Sequence, residues 1–247
     1  MAHSSVFQAF VSVAQTASAL TSTTDLGVAS ACELLLDVTV TGGTSPSLTV
    51  SVETSADGLL AWRTVGSFLA ATTVSWQSLP FTGCDRYVRA RSVITGTTPT
   101  FTYSLTGKVV TVYATPSDIY KLALPAGAIA SLDAWSVHAA LKAASDMVDA
   151  SLADVALLPL TSWGDDIRRA TAIIAGFDLL TTRGVNPDDG ADVWIRERYL
   201  DIVGGPQQPG WLDKVANGRL TPAGIIDASP NTNESAADCT SAPMRGW

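Results

Sequence analysis

The chain has 247 residues, 47% hydrophobic and 15% charged, which excludes a disordered chain and calls for one large or two ordinary packed domains. Its formal net charge of −8 excludes a protein that coats nucleic acid. The acidity is uneven: residues 1–110 carry five Lys/Arg against six Asp/Glu, residues 111–220 nine against fourteen, and residues 221–247 one against three. The middle segment is therefore the one whose field would steer a basic partner.

Residues 1–112 are dominated by Ser, Thr, Val and Gly and show no helical period. Candidate strands fall at 6–13, 33–41, 48–54, 62–68, 73–79, 87–94 and 100–112. Gly42-Gly43, Asp57-Gly58, Thr82-Gly83 and residues 96–99 punctuate them as turns. Thr49 to Glu53 and Arg86 to Arg91 alternate as half-buried strands do. Seven short strands with this spacing predict an antiparallel β-sandwich, Ig-like or jelly-roll-like. Within it, Thr54-Ser-Ala-Asp-Gly58, Trp62 and Arg86-Tyr-Val-Arg89 resemble the pattern of discoidin-type modules, whose loops bind sugars or lipids. The plainer reading makes Asp57-Gly58 a hairpin turn and Trp62 and Tyr87 filling for the sandwich.

The apolar period changes from two to 3.6 between Val112 and Thr115, which places a domain boundary there and a short helical turn at Pro116. Residues 113–220 then read as an all-α bundle of about four helices. In the longest, over 131–155, Val137, Leu141, Ala144, Val148, Leu152 and Val155 share one face, with Ser131 as N-cap and Asp133 in the first turn. Pro159 closes that segment. Asp165 and Asp166 open a second helix with Ile167, Ala170, Ile174 and Phe177 on its apolar side, ended at Arg183-Gly184. Asn186-Pro187-Asp188-Asp189 is the expected start of a third, which carries Ala191, Ile195, Arg198 and Ile202 along one side, Trp194 and Tyr199 beside them, and stops at Gly204-Gly205. A fourth runs from Pro209 to Ala216 before Asn217-Gly218.

Residues 221–247 form an extended C-terminal arm. Its Ser, Asn, Ala and Asp show no period, yet it ends in Pro243-Met244-Arg245-Gly-Trp247, the residue types that anchor in a partner's pocket. The three cysteines, Cys32, Cys84 and Cys239, contain no CxxC pair, and an odd count fits a reducing compartment; a Cys32–Cys84 bridge is the alternative to two free thiols. No Lys or Arg precedes the mildly apolar residues 6–14, which argues against a secretory signal, and no run has the length to cross a bilayer.

No cofactor, metal site or enzymatic motif is expected. Of two histidines, His3 is near the chain start and His138 lies on the long helix as a surface or interface residue. The chain lacks a Gly-x-Ser-x-Gly elbow, a P-loop and a dinucleotide fingerprint. Asn186 to Asp192 suggests a calcium loop only superficially, because it lacks the oxygen spacing and the terminal Glu.

The helical segment supports a sharper comparison. Tyr113-Ala-Thr-Pro-Ser-Asp-Ile119, Ala143-Ala-Ser-Asp-Met-Val-Asp149, Ser151-Leu152, Leu158-Pro-Leu160, Ile195-Arg-Glu-Arg-Tyr199 and Trp211 to Gly218 in this order resemble the head–tail connector (adaptor, or head-completion) proteins of tailed phages. The resemblance spans about 105 residues by the motif ends just named. The chain departs from it at Ala153-Asp-Val-Ala156, where the family has an aromatic or Arg-Tyr pair, and in its whole N-terminal domain, which short connectors lack.

What the resemblance implies is a virion protein of the neck, assembled in the host cytoplasm. Its copies, commonly twelve, form a homo-oligomeric ring between the portal protein and a stopper or tail-completion protein. DNA passes through the channel without sequence-specific binding, and no membrane is involved. On this reading His138, Lys142, Asp146, Asp149, Arg196, Arg198 and Tyr199 belong to the subunit–subunit interface, and Pro243, Met244, Arg245 and Trp247 to the portal contact. The alternative is a virion decoration or adhesin-type module that uses the N-terminal domain to bind glycan or capsid.

Overall fold

In a computed structural model, the structure describes residues 6–27, 30–129, 131–184, 193–205 and 208–226. The chain is broadly α+β, with an antiparallel sheet in the N-terminal half and helices after it. The strands are β1 (Val6–Gln15), β2 (Ala19–Leu20), β3 (Thr24–Asp25), β4 (Ala31–Ser55), β5 (Arg63–Ser67), β6 (Ser75–Thr82) and β7 (Tyr87–Val110).

Strands β4 and β7 pair along their whole length, from Ala31 opposite Val110 to Ser55 opposite Tyr87. This ribbon is widened differently at its two ends. Near Ala31 it is flanked by β1 on β7 and by β6 on β4; near Ser55 it is flanked by β2 and β3 on β7 and by β5 on β4. The ribbon cannot be straight. Cys32 lies opposite Phe81, and Val50 accepts a hydrogen bond from the Phe68 amide. A straight strand would separate positions 32 and 50 by roughly 60 Å. Yet the Phe68 and Phe81 rings meet edge to face with centroids 5.5 Å apart. The ribbon therefore doubles back, and its two halves share one core. Cys32, Leu34, Leu36 and Val38 from the first half lie in it with Leu48, Val50 and Val52 from the second.

This arrangement corrects the expected strand list. Residues 33–41 and 48–54 are one strand, β4, and 87–94 and 100–112 belong to one strand, β7, which ends at Val110. The segments read as turns, Gly42-Gly43 and residues 96–99, lie opposite one another inside the ladder, where the register shifts between Val38 and Val40, Gly42 and Thr44, and Thr44 and Ser47. Gly43 and Gly96 have φ of 102° and 125°, which a side chain rarely tolerates. A one-residue slip flips faces, and the net shift does so here. Leu36 and Val38 face Leu105 and Tyr103, whereas Val50 and Val52 face Ser92 and Ala90. The inward positions of β7 thus change from odd to even numbers while those of β4 stay even. The glycines that signal a turn in a single strand here serve a bulge in two strands at once.

The helices are α1 (Pro116–Asp118), α2 (Ala126–Ile129), α3 (Ala134–Leu152), α4 (Asp165–Thr182), α5 (Val193–Val203) and α6 (Trp211–Ala216). Thr115 caps α1 in a capping box with Asp118, and a π-type turn, Ile119–Ala123, follows. The N-cap of α3 is Asp133, which accepts from the Ser136 amide, not Ser131. A carboxylate closer to the free amides of the first turn takes that role. Val137, Leu141, Ala144, Val148 and Leu152 are buried as the period requires, but α3 ends at Leu152 and Val155 is exposed.

Helix α4 is the central one. It buries Ala170 to Gly176 without a break, not merely one stripe, because it packs against α3, α5 and the turn at 119–123. Helix α6 packs against both α3 and α5. The predicted start of the third helix, Asn186 to Asp189, lies outside the described residues, as do Cys239 and His3.

Candidate functional site

The helical half meets the sheet through the first turns of α3. His138, only 2% exposed, directs Nε2 at Glu33 Oε1, 2.9 Å away, and a carboxylate can only accept, so Nε2–H donates. Glu33 also pairs with Lys108 at 2.7 Å. Burial pushes the Glu33 carboxyl up, but the bonds and charges of Lys108 and His138 outweigh it and hold the group below the usual carboxylate range. Trp135 donates its indole N–H to Ser78 O at 2.9 Å and stands edge-on to the His138 ring. The His138 Nδ1 is buried without a hydrogen-bond partner. His138 is thus spent on an intrachain joint between α3 and β4, which leaves it no surface to offer a neighbour.

Further along α3, Asp149 accepts a short hydrogen bond from the Tyr113 hydroxyl. Burial raises the carboxyl's pKa, and burial together with the carboxylate raises that of the phenol. Tyr113 packs edge-on to Trp163, whose indole N–H binds Tyr113 O at 2.9 Å, and the Tyr113 amide donates to Ser145. This group pins the linker after β7 to α3. Lys142 and Asp146, by contrast, form an outward ion pair at 2.7 Å, one helical turn apart.

On α5, Tyr199 stacks on Phe177 of α4 with centroids 4.0 Å apart. Arg198 donates to Leu122 O at 2.7 Å, and its guanidinium lies 5.5 Å from the centre of the Trp194 ring. Arg196 is exposed. The helices and the turn at 119–123 enclose a groove of about 380 Å³ whose rim carries Tyr120, Lys121, Arg169, Trp194 and Arg198, with no carboxylate lining it among the described residues. A second cavity of about 270 Å³ continues past Arg169 and Arg198 and brings in Asp166, Asp201 and Trp211.

The structure therefore divides the sequence-assigned interface residues. Lys142, Asp146 and Arg196 face outward, Arg198 borders the groove, and His138, Asp149 and Tyr199 are engaged within the chain. Sequence reasoning missed Tyr120, Lys121 and Arg169, which only the fold brings beside Arg198. The legible signal was the adjacent pair Arg168-Arg169 near the start of α4. Pro243, Met244, Arg245 and Trp247 lie outside the described residues.

In the sheet half, Asp57 accepts from the Leu59 and Leu60 amides, and Gly58 packs on Tyr87, as a turn requires. Trp62 and Tyr87 do not fill the core. They are half-buried at its rim, each with an arginine over the ring, Arg89 at 3.9 Å and Arg86 at 5.1 Å. Cys32 and Cys84 are free thiols in contact at 3.8 Å. Among the described residues, no three His, Cys, Asp or Glu side chains gather as a metal site, and no helix is long and apolar enough to cross a membrane.

No curated protein matches the chain. Among solved structures, a crystal structure of the PBSX exported protein XepA is similar at 15% identity and a TM-score of 0.34, covering 43% of this chain and 37% of that one. A Bacillus endospore appendage protein, described as one of a novel family of disulfide-linked pili, is similar at 17% identity and a TM-score of 0.31, covering 45% of this chain and 91% of that one. Likeness this slight carries no argument. The model of the family described as Bacteriophage Mu, Gp36 matches residues 110–240, the helical half together with most of the arm. That is just over half of the chain, and the protein belongs to this phage structural, virion-related family.

Proposed function

We propose that the protein is a head–tail adaptor of a tailed phage. Its copies close into a ring, twelve as in the connectors it resembles, between the portal protein and a stopper or tail-completion protein. The ring extends the DNA channel, and acidic residues let DNA pass without adhering. Assembly takes place in the host cytoplasm, and the finished position is the neck of the virion. The C-terminal arm with Trp247 reaches the portal, and the N-terminal sheet, a sandwich made of two halves of one ribbon, projects outward. The observation that carries this reading is the family match over the helical half. The packing of α3 to α6 supports it, because α3 and α5 occupy opposite corners and leave each copy two unlike outward surfaces, the requirement for a closed ring.

Gold-labelled antibody against the chain is expected to mark one vertex of the particle, at the neck. Loss of the chain should leave DNA-filled heads without tails, and deletion of residues 238–247 should abolish portal binding while the fold survives. Label spread over the capsid overturns the adaptor reading. That outcome favours the second reading, decoration or adhesion through the sheet, for which the exposed Leu59, Leu60, Leu69, Val74 and Trp76 around β5 and β6 are the supporting observation.

A further inference from the structure

Among the described residues, the outer side of α3 carries carboxylates and the groove beside α5 carries cations, with Asp166 and Asp201 in the adjoining cavity. Ala143, Asp146, Met147, Ala150 and Asp154 advance by three, one, three and four residues from the outer side of α3 into the turn after it, and all are exposed. Val155 and Leu157 continue this surface and are exposed as well. Lys142 lies beside it, and its pairing with Asp146 across exposed helix surface is weak. At the opposite corner, the groove between α5 and the turn at 119–123 presents Lys121, Arg169 and Arg198 with the exposed rings of Tyr120 and Trp194, in a chain that is acidic overall.

We propose that the groove of one copy receives the outer face of α3 from a second copy. Asp146 and Asp154 pair with Lys121 and Arg169, and Met147 and Leu157 cover Tyr120 and Trp194. The occupant follows from charge and position. An acidic, apolar helix face complements a cationic, aromatic groove, and each copy carries one of each on opposite corners. Every docking therefore leaves a free groove and a free helix face, so addition continues until the arrangement closes. This rests on the adaptor reading and names the surfaces through which its ring would form.

The test uses the full chain, as an equal mixture of isotope-labelled and unlabelled protein at millimolar concentration, treated with a zero-length carbodiimide that joins lysine amines to carboxylates. Mixed-isotope peptides linking Lys121 to Asp146 or Asp154 are expected. Arg169→Glu, or Asp146→Lys with Asp154→Lys, should each weaken self-association by at least about tenfold in sedimentation, and combining them should restore it. Circular dichroism confirms that the variants fold. Mixed-isotope links confined to other faces, reversals without effect, no rescue on combination, or a chain that stays monomeric throughout overturns the pairing. So does a short DNA duplex whose binding is lost in Arg169→Glu while self-association persists, since the groove then serves phosphate. Particle imaging separates the two readings. A ring at the neck joined by other faces sinks this pairing alone, whereas the expected links in a chain absent from the neck sink only the adaptor reading.

Discussion

In the sheet half, neighbours in space are distant in sequence. Ala31 faces Val110, and the two halves of one ribbon meet at Phe68 and Phe81. In the helical half most of the backbone satisfies itself locally within helices, and the long-range contacts are chiefly the packing of helices on one another, α4 on α3 and α5, and α6 on α3 and α5. Their charges differ in the same sense. Glu53 of β4, 8% exposed, is held by Arg89 and Arg91 at 2.7 Å each. Burial raises its pKa, but the two arginines outweigh that and keep it below the usual range. Asp149 and Asp178 of the helical half are raised by burial. The sheet therefore stabilises Glu53 as an ion, and the helices hold Asp149 and Asp178 ionised at a cost, although the Ser136 hydrogen bonds lower Asp133 at the N-cap of α3. Register and ion pairs define one half, and apolar helix faces define the other.

The most damaging way to probe this contrast is to open a cavity in each core. Leu36→Ala and Leu141→Ala, both at fully buried positions, are expected to cost about 3 kcal/mol each. Hydrogen exchange read peptide by peptide shows whether each loss stays within its own half; equal loosening of both halves by either variant would show that the joint at Glu33 and His138 merges them into one cooperative unit.

Acid separates the halves next. Glu33 and Glu53 have lowered folded pKa values, so their stabilisation is complete above the ordinary carboxylate range and is lost as pH falls through the folded values. Asp149 and Asp178 have raised values, so the penalty for holding them ionised disappears as pH falls through theirs. Below about pH 5 the sheet peptides should lose exchange protection before the helical ones; the reverse order breaks the comparison. The smallest effect is expected from Lys142→Ala. Its ion pair with Asp146 is exposed, and thermal unfolding should change by less than about 0.5 kcal/mol.

Much of the helical half was legible because α3 and α4 announce themselves locally. The apolar period of Val137 to Leu152, the acidic opening at Asp165 and Asp166, and the change of period near Val112 depend on near neighbours in sequence. What was not legible depends on partners. Ser131 and Asp133 are both acceptable caps, and only the position of the Ser136 amide chooses between them. His138 reads as a surface residue until β4 brings Glu33 against it. Gly42-Gly43 and residues 96–99 carry the composition of turns, and nothing local says that they lie opposite each other in a ladder. Gly107 is a further case: an added Cβ would lie 2.6 Å from Glu33 O, a close approach visible only once β4 and β7 are paired.

The doubled ribbon also decides where change is harmless. Its two ends lie together beside the helices: Ala31 faces Val110, and the Cys84 amide, just before β7, reaches Ser30 O at 2.9 Å. The bend at Thr44, Ser45, Thr97 and Thr98 is exposed and stands some ten residues out along the ribbon, roughly 30 Å away. That tip works as a mast. Cargo spliced into it, such as an epitope or a fluorophore, would be carried clear of every helix, so a particle could display a foreign sequence there while its joints stay as they were.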